Sequence, residues 1–405
     1  MSETSVAFDP KVRRQARANA FVLAFCQALA QGGAVLVIVV SALAGQALAE
    51  NKALATLPFA LQFVMTMIST VPASLLMGRI GRRAGFTVGQ TIGIFGAGLA
   101  AAAIYAGDFV LFAAGSAILG IHNAFWQYYR FAAADMADED FRPKAISYVM
   151  AGGLMAAFLG PEIAKLTRDS IASATFAGSY VALAGMCVVN IALLRLVRIP
   201  RPTTALSAGR PLGAIVRSPV FLVAAAAAMI GYASMNLVMT ATPLAMHAAH
   251  FGFADTAFVI QWHVVGMYAP SFATGHLIHR YGAPRVILAG TGVMIAAVAV
   301  NIADQTLLHY WFGLVLIGMG WNFMFVGGTA LLTECHRPEE RARVQALNDF
   351  LVFGTVSASS FTSGALQHGH GWAVVNMGVV MPILVVFAAA AWLLIHRRRL
   401  ARKTA

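Results

Sequence analysis

A charged side chain inside an apolar run is costly to keep, by roughly 2.5–3.5 kcal/mol at a bilayer centre. Arg130 lies in such a run and shares a helical face with Gln127, Trp126 and Asn123, at offsets of 3, 4 and 7. The string Gln-Tyr-Tyr-Arg sets rings beside a guanidinium. That combination suits a planar or anionic ligand, which rings can stack on and the arginine fork can hold by paired hydrogen bonds. The plainer reading is an arginine that snorkels to the membrane edge, about five residues away. Similar polar stripes recur at Gln27 and Gln31, at Gln62, Thr66 and Ser69, at Tyr232, Asn236 and Thr240, and at Asn322, Phe325 and Thr329. Taken singly, each suits interhelical hydrogen bonding as well as ligand binding.

Two carboxylates also fall within apolar runs. Glu162 follows Gly160-Pro161 and has Lys165 one turn away, so it reads either as a proton carrier or as an interfacial ion pair. Asp349 sits about five residues inside the start of its run. His122 and His263 titrate near neutrality when free, but a lone histidine in such a run is more often a helix-to-helix hydrogen bonder.

A second set of charges is repeated. Asn123 to Asp135, then Arg142, returns 199 residues later as Asn322 to Glu334, then Arg341. Gly78-x4-Arg83-x-Gly85 returns 197 residues later as Gly275-x4-Arg280-x-Gly282. Glycines permit tight turns between helices. An arginine at such a turn can pair with a carboxylate ending the neighbouring helix, predicting Arg83–Asp135 and Arg280–Glu334 pairs. Their expected role is to hold one gate state and release the other. The alternative is helix-end electrostatics with no switching.

These residues need elements that position them. The chain has 405 residues, 59% hydrophobic and only 11% charged, against about 25% charged in soluble domains. Twelve runs are long enough to cross a bilayer: 18–44, 53–77, 86–105, 109–133, 144–166, 174–197, 219–246, 256–278, 285–303, 308–333, 343–365 and 372–395. The reading is an all-α membrane protein of two six-helix bundles, 18–197 and 218–395. A polar linker joins them at 198–217, with tails at 1–17 and 396–405. With both termini cytoplasmic, 24 of the 28 basic residues fall on that side. Three (Lys52, Lys165 and Arg168) fall outside and Arg130 falls within a span. This asymmetry sets the orientation and places the chain in the inner (plasma) membrane. It also explains the +12 net charge without a nucleic-acid partner; the basic tail lies against anionic lipid.

Several chemistries lack their residues. There is no Gly-Lys-Ser/Thr phosphate loop, no His-Glu-x-x-His and no Gly-x-Ser-x-Gly. Cys26, Cys187 and Cys335 are widely spaced. No enzyme activity, cofactor or metal is expected. Gly85-x3-Gly89-x3-Gly93 is a small-residue ridge for helix packing, with a dimer face as the lesser alternative to a monomer.

Twelve spans, two halves, a central linker and the Gly-x4-Arg-x-Gly loops together resemble the major facilitator superfamily (MFS). The usual loop reads Gly-x3-Asp-Arg-x-Gly-Arg-Arg; here Arg82 and His279 stand at the Asp position. The resemblance implies that spans 1, 4, 7 and 10 surround a central cavity. It therefore draws Gln27, Gln31, Asn123, Trp126, Gln127, Arg130, Tyr232, Asn236, Asn322 and Phe325 toward a small organic solute. It implies a gate at Gly78, Arg82, Arg83, Asp135, Arg142, Gly275, Arg280, Glu334, Arg341 and Asp349. Because span 2 packs on span 11 in that fold, Asp349 is expected to neutralise Arg79 or Arg82. The Gly-Pro before Glu162 resembles the span-5 signature of family antiporters, although Ala164-Lys165 stand where Gly-Gly is usual. The implied function is secondary transport by alternating access, coupled to protons. A facilitator and a non-transporting sensor of the same fold stay open.

Overall fold

A chain this apolar can bury its backbone polar groups in lipid only as helices or a closed barrel. The computed structural model takes the first route. It describes residues 10–135, 141–199, 210–337 and 340–404, without side chains at 10–13, 134, 135, 142–144, 146, 147, 341, 342 and 400–404. The side chains of Asp135, Arg142 and Arg341 therefore lie outside the described residues.

The first half comprises α1 (Pro10–Leu48), a 3-10 turn (Lys52–Leu54), α2 (Leu57–Ile80), α3 (Arg82–Ala106), α4 (Phe109–Trp126), α5 (Tyr129–Asp135), α6 (Arg142–Thr167) and α7 (Ala177–Leu194). After the short α8 (Leu212–Val216), the second half comprises α9 (Pro219–Ala248), α10 (Phe253–Tyr268), α11 (Ser271–Tyr281), α12 (Ala283–Ala303), α13 (Leu307–Thr333), α14 (Arg341–Met377) and α15 (Val380–Thr404). Among the described residues, ten stretches are individually long and apolar enough to cross a membrane. The last, Arg343–Arg399, covers most of both α14 and α15. The eighth expected span is absent from the ten because Ala269-Pro270 cuts it into α10 and α11, each shorter than a full crossing. Proline has no N–H to give the preceding turn. Span 4 is also broken, at Gln127 and Tyr128. Counting the broken pairs as single crossings accounts for all twelve passages.

Within the first half α1 packs on α6, and α3 on α4 and α7; within the second, α9 packs on α13 and α14, and α12 on α13. Across the halves α2 meets α14, and α6 meets α10. The glycine ridge of α3 works as packing. A Cβ at Gly89 would stand 2.4 Å from Phe125 Cβ, and one at Gly93 2.8 Å from His122 Nδ1. That close approach lets His122 Nδ1 donate to the Gly89 carbonyl at 3.0 Å. His263 does the same to Leu314 at 2.7 Å, joining α10 to α13.

The loop repeat needs a correction in register. Gly81 and Gly282 are the equivalent turn residues, at φ 90° and 85°, a region that side chains with a Cβ avoid. Gly85 lies inside α3 and packs on Met77, while Gly78 and Gly275 have open space where a Cβ would stand. Arg83 therefore follows its turn, whereas Arg280 precedes its own.

Among the described residues, three hydrogen bonds tie the halves toward the end of the bundle opposite the linker, here called the far end. The Thr56 hydroxyl donates to the Ser360 carbonyl at 2.7 Å and accepts from Gly364 N–H at 3.1 Å. The Ser357 hydroxyl donates to the Ala60 carbonyl at 3.3 Å. Arg168 reaches from the end of α6 over Phe176 of its own half (5.5 Å) and Phe253 of the other (4.9 Å).

A central cavity with one polar and one aromatic wall

Between the halves lies a cavity with about 210 Å³ open to water-sized molecules. The first half lines it with Gln27 and Gln31 of α1, Gln62 and Thr66 of α2, Asn123 and Trp126 of α4, and Gln127 and Arg130 at the helix break. The second half supplies Tyr232, Tyr268, Trp321, Phe325 and Phe353, with Asn236 and Asp349 among them. Nine of the ten solute residues expected from sequence thus share one cavity.

The exception is Asn322, which turns away to mend the broken span. Its Nδ2 donates to the Met267 carbonyl (2.7 Å) and to Ser271 Oγ (2.6 Å), and its Oδ1 accepts from the Thr274 hydroxyl (2.6 Å). A helix break strands backbone carbonyls, and in lipid these must find a donor inside the protein. Asn322 is that donor, so its amide is spent on architecture. Asn236 is partly spent likewise. Its Nδ2 donates to Ser360 Oγ at 2.6 Å and Ser359 Oγ at 3.0 Å, joining α9 to α14.

Part of the polar wall is bonded to itself, while Gln62 Oε1 is buried without a partner among the described residues. Gln27 Nε2 donates to Gln31 Oε1 at 2.9 Å, and Trp126 Nε1 donates to Asn123 Oδ1 at 3.0 Å. On the aromatic wall Trp321 and Phe325 stack with centroids 5.1 Å apart and planes 11° apart. Tyr232 stands edge-on to both, at 5.4 and 5.5 Å. Trp321 was not singled out from sequence. The signal was there, an i, i+4 ring pair with Phe325 next to the more conspicuous Asn322.

The charges are arranged differently from expectation. Asp349 lines the cavity, and the charged side chain whose field acts on it is Arg130. Arg130 and Asp349 are the only base and acid, His apart, among the described lining residues, one from each half. The Arg130 guanidinium lies 4.9 Å from the Phe131 ring, and its buried Nε has no hydrogen-bond partner among the described residues. Glu162 is not in the cavity. It is 52% exposed and takes a 2.5 Å ion pair from Lys165, the interfacial reading.

The expected Arg280–Glu334 pair is not formed; Glu334 accepts from Arg397 of α15 at 2.6 Å instead. Arg280 lies over the Tyr281 ring at 5.4 Å. A stronger latch, missed from sequence, sits at the linker. Glu340 is buried and accepts from Arg210 Nε and Nη2, both at 2.7 Å, and from the backbone N–H groups of Arg210 and Arg337, both at 2.9 Å. The Arg210 side chain, then these backbone donors, hold its carboxyl well below the usual carboxylate range.

The model of the Major Facilitator Superfamily matches residues 20–358 and 224–405. The chain is 40% identical over 375 residues to the riboflavin transporter RfnT of Brucella anthropi, covering 92% of this chain and 94% of that one. It is 30% identical over 391 residues to YddS, an uncharacterised MFS-type transporter of Bacillus subtilis, covering 90% and 88%. Among solved structures, a D-xylose-proton symporter superposes with a TM-score of 0.67 at 16% identity, over 93% of this chain and 96% of that one.

Proposed function

The chain belongs to the Major Facilitator Superfamily, and we propose that it carries riboflavin, or a closely similar flavin, across the inner membrane by alternating access. The observation that carries this reading is the 40% identity to a riboflavin transporter over nearly the full length of both chains. The cavity supports it chemically. A flavin has a flat tricyclic ring and a hydroxylated side chain. Stacked rings on one wall and amides on the other suit those two parts.

Closure at the far end by Thr56, Ser357 and Arg168 supports a state that loads or unloads through the linker end. With the termini cytoplasmic, as the distribution of basic residues favours, that state faces inward. The gate arginines Arg82 and Arg83 lie at the linker end, where the halves would close in the opposite state.

Protons are the proposed coupling ion, and the carboxylate assigned to carry them is Asp349. It shares the cavity with the proposed solute and feels the charge of Arg130, with Tyr128 close by. Glu162 is too exposed for that task.

Uptake of labelled riboflavin into proteoliposomes, with and without an imposed pH gradient, tests the whole. Saturable uptake that the gradient accelerates, and that Asp349→Asn uncouples from the gradient, is the expected result. Saturable uptake indifferent to the gradient would make the protein a facilitator. No flavin uptake in either direction would end the flavin reading.

A further inference from the structure

We infer that Arg130 and Asp349 together read the imide edge of the flavin ring, the N–H flanked by two carbonyls, and so decide which planar solutes are accepted. This rests on the flavin reading above and assigns its orientation.

Arg130 and Asp349 are the charged groups among the described lining residues; Gln62 Oε1 and Asn236 Oδ1 also lack partners there, but as neutral amide oxygens they offer neither a cation nor a carboxylate. Gln27 and Gln31 are bonded to each other, and the Asn123 oxygen is taken by Trp126. The Asn236 amide nitrogen is taken by α14. Arg130 keeps a buried Nε without a partner among the described residues. Asp349 receives one long contact, 3.4 Å from Asn348 Nδ2. The two are close enough to feel each other's charge, yet no ion pair within 4.0 Å joins them. A strong donor and a strong acceptor thus stand apart across the seam between halves.

An imide edge matches that arrangement. Its N–H needs an acceptor, which a carboxylate supplies, and its carbonyls need donors, which a guanidinium supplies. The stacked pair Trp321 and Phe325 offers the ring face, since a flat ligand adds to such a stack in the same offset geometry. A flavin seated this way bonds to both halves at once, so its arrival draws them together. Recognition through the side-chain hydroxyls alone would leave the imide unread.

The test uses purified full-length protein in nanodiscs, with quenching of flavin fluorescence as the readout. Riboflavin is compared with N3-methylriboflavin, in which a methyl group replaces the imide hydrogen. Wild type is expected to bind the methylated ligand about 10-fold more weakly or worse. In Asp349→Ala riboflavin affinity falls to that of the methylated ligand, and the two become equivalent. Equal binding of both flavins by wild type overturns the inference without recourse to any variant, and leaves flavin transport standing. An undiminished preference in Asp349→Ala also overturns it. Failure of wild type to bind riboflavin at all overturns both the flavin reading and this one.

Discussion

The two walls of the cavity come from corresponding stretches of the two halves, yet they differ in kind. Asn123, Gln127 and Arg130 in the first half correspond to Asn322, Val326 and Thr329 in the second. In the first, the helix breaks at Gln127 and turns polar groups inward. In the second, α13 runs unbroken, and its ring pair Trp321 and Phe325 faces the cavity while Asn322 points back to mend a neighbour. Placing the break in α4 on one side, and in α10 on the other, separates hydrogen-bonding work from stacking work. One half can then set which edge of a solute is accepted and the other its shape.

The comparison can be broken at either wall. Arg130→Ala should cost the most, about 100-fold in flavin affinity, because it removes a charged hydrogen-bond donor and leaves Asp349 uncompensated; titration by fluorescence quenching measures it. Trp321→Ala should cost about 10-fold by the same titration, with Trp321→Phe recovering most of the loss. If the tryptophan variant proved more damaging than the arginine one, the division between the walls would be the wrong way round.

Three further changes should sharpen the division by leaving affinity alone. Arg168→Ala removes the cation–π closure of the far end. Labelling of Ala60→Cys from that side should rise several-fold, with flavin affinity little changed. Glu340→Gln should lower the melting temperature at neutral pH. The Glu340 carboxyl is held below its unfolded value, so its stabilisation is present at neutral pH and lost as pH falls below about 4. Wild type should therefore shed this increment on acidification, and Glu340→Gln should have none to shed. The smallest effect is expected of Glu162→Gln: transport within about twofold of wild type, as befits an exposed ion pair.

Much of this architecture was legible because lipid imposes simple rules. Span length, the basic asymmetry and the stripes at Gln27, Asn123 and Tyr232 follow from what a bilayer excludes. What escaped depended on breaks. Pro270 was visible, but which residue would satisfy the Met267 carbonyl left over at the break was not, so Asn322 looked like a ligand. The break at Gln127 carries no proline or glycine at all, so nothing in the local sequence announces it. The loop motif misled in register because Gly81 and Gly85 are both available, and only backbone geometry tells which one turns. Glu340 was lost among surface charges, since its worth comes from four donors that converge from the linker and its own loop.

The links between the halves at the far end are hydroxyl-to-carbonyl bonds, an amide-to-hydroxyl bond and an arginine over rings. The latches at the linker end, Arg210–Glu340 and Arg397–Glu334, are ion pairs. Dissolved salt screens exposed ion pairs but leaves short neutral contacts nearly untouched. The hydroxyl bonds that close the far end should therefore hold steady as salt rises, while the exposed Arg397–Glu334 pair, which fastens α15 to the end of α13, loosens before the half-buried Arg210–Glu340 one.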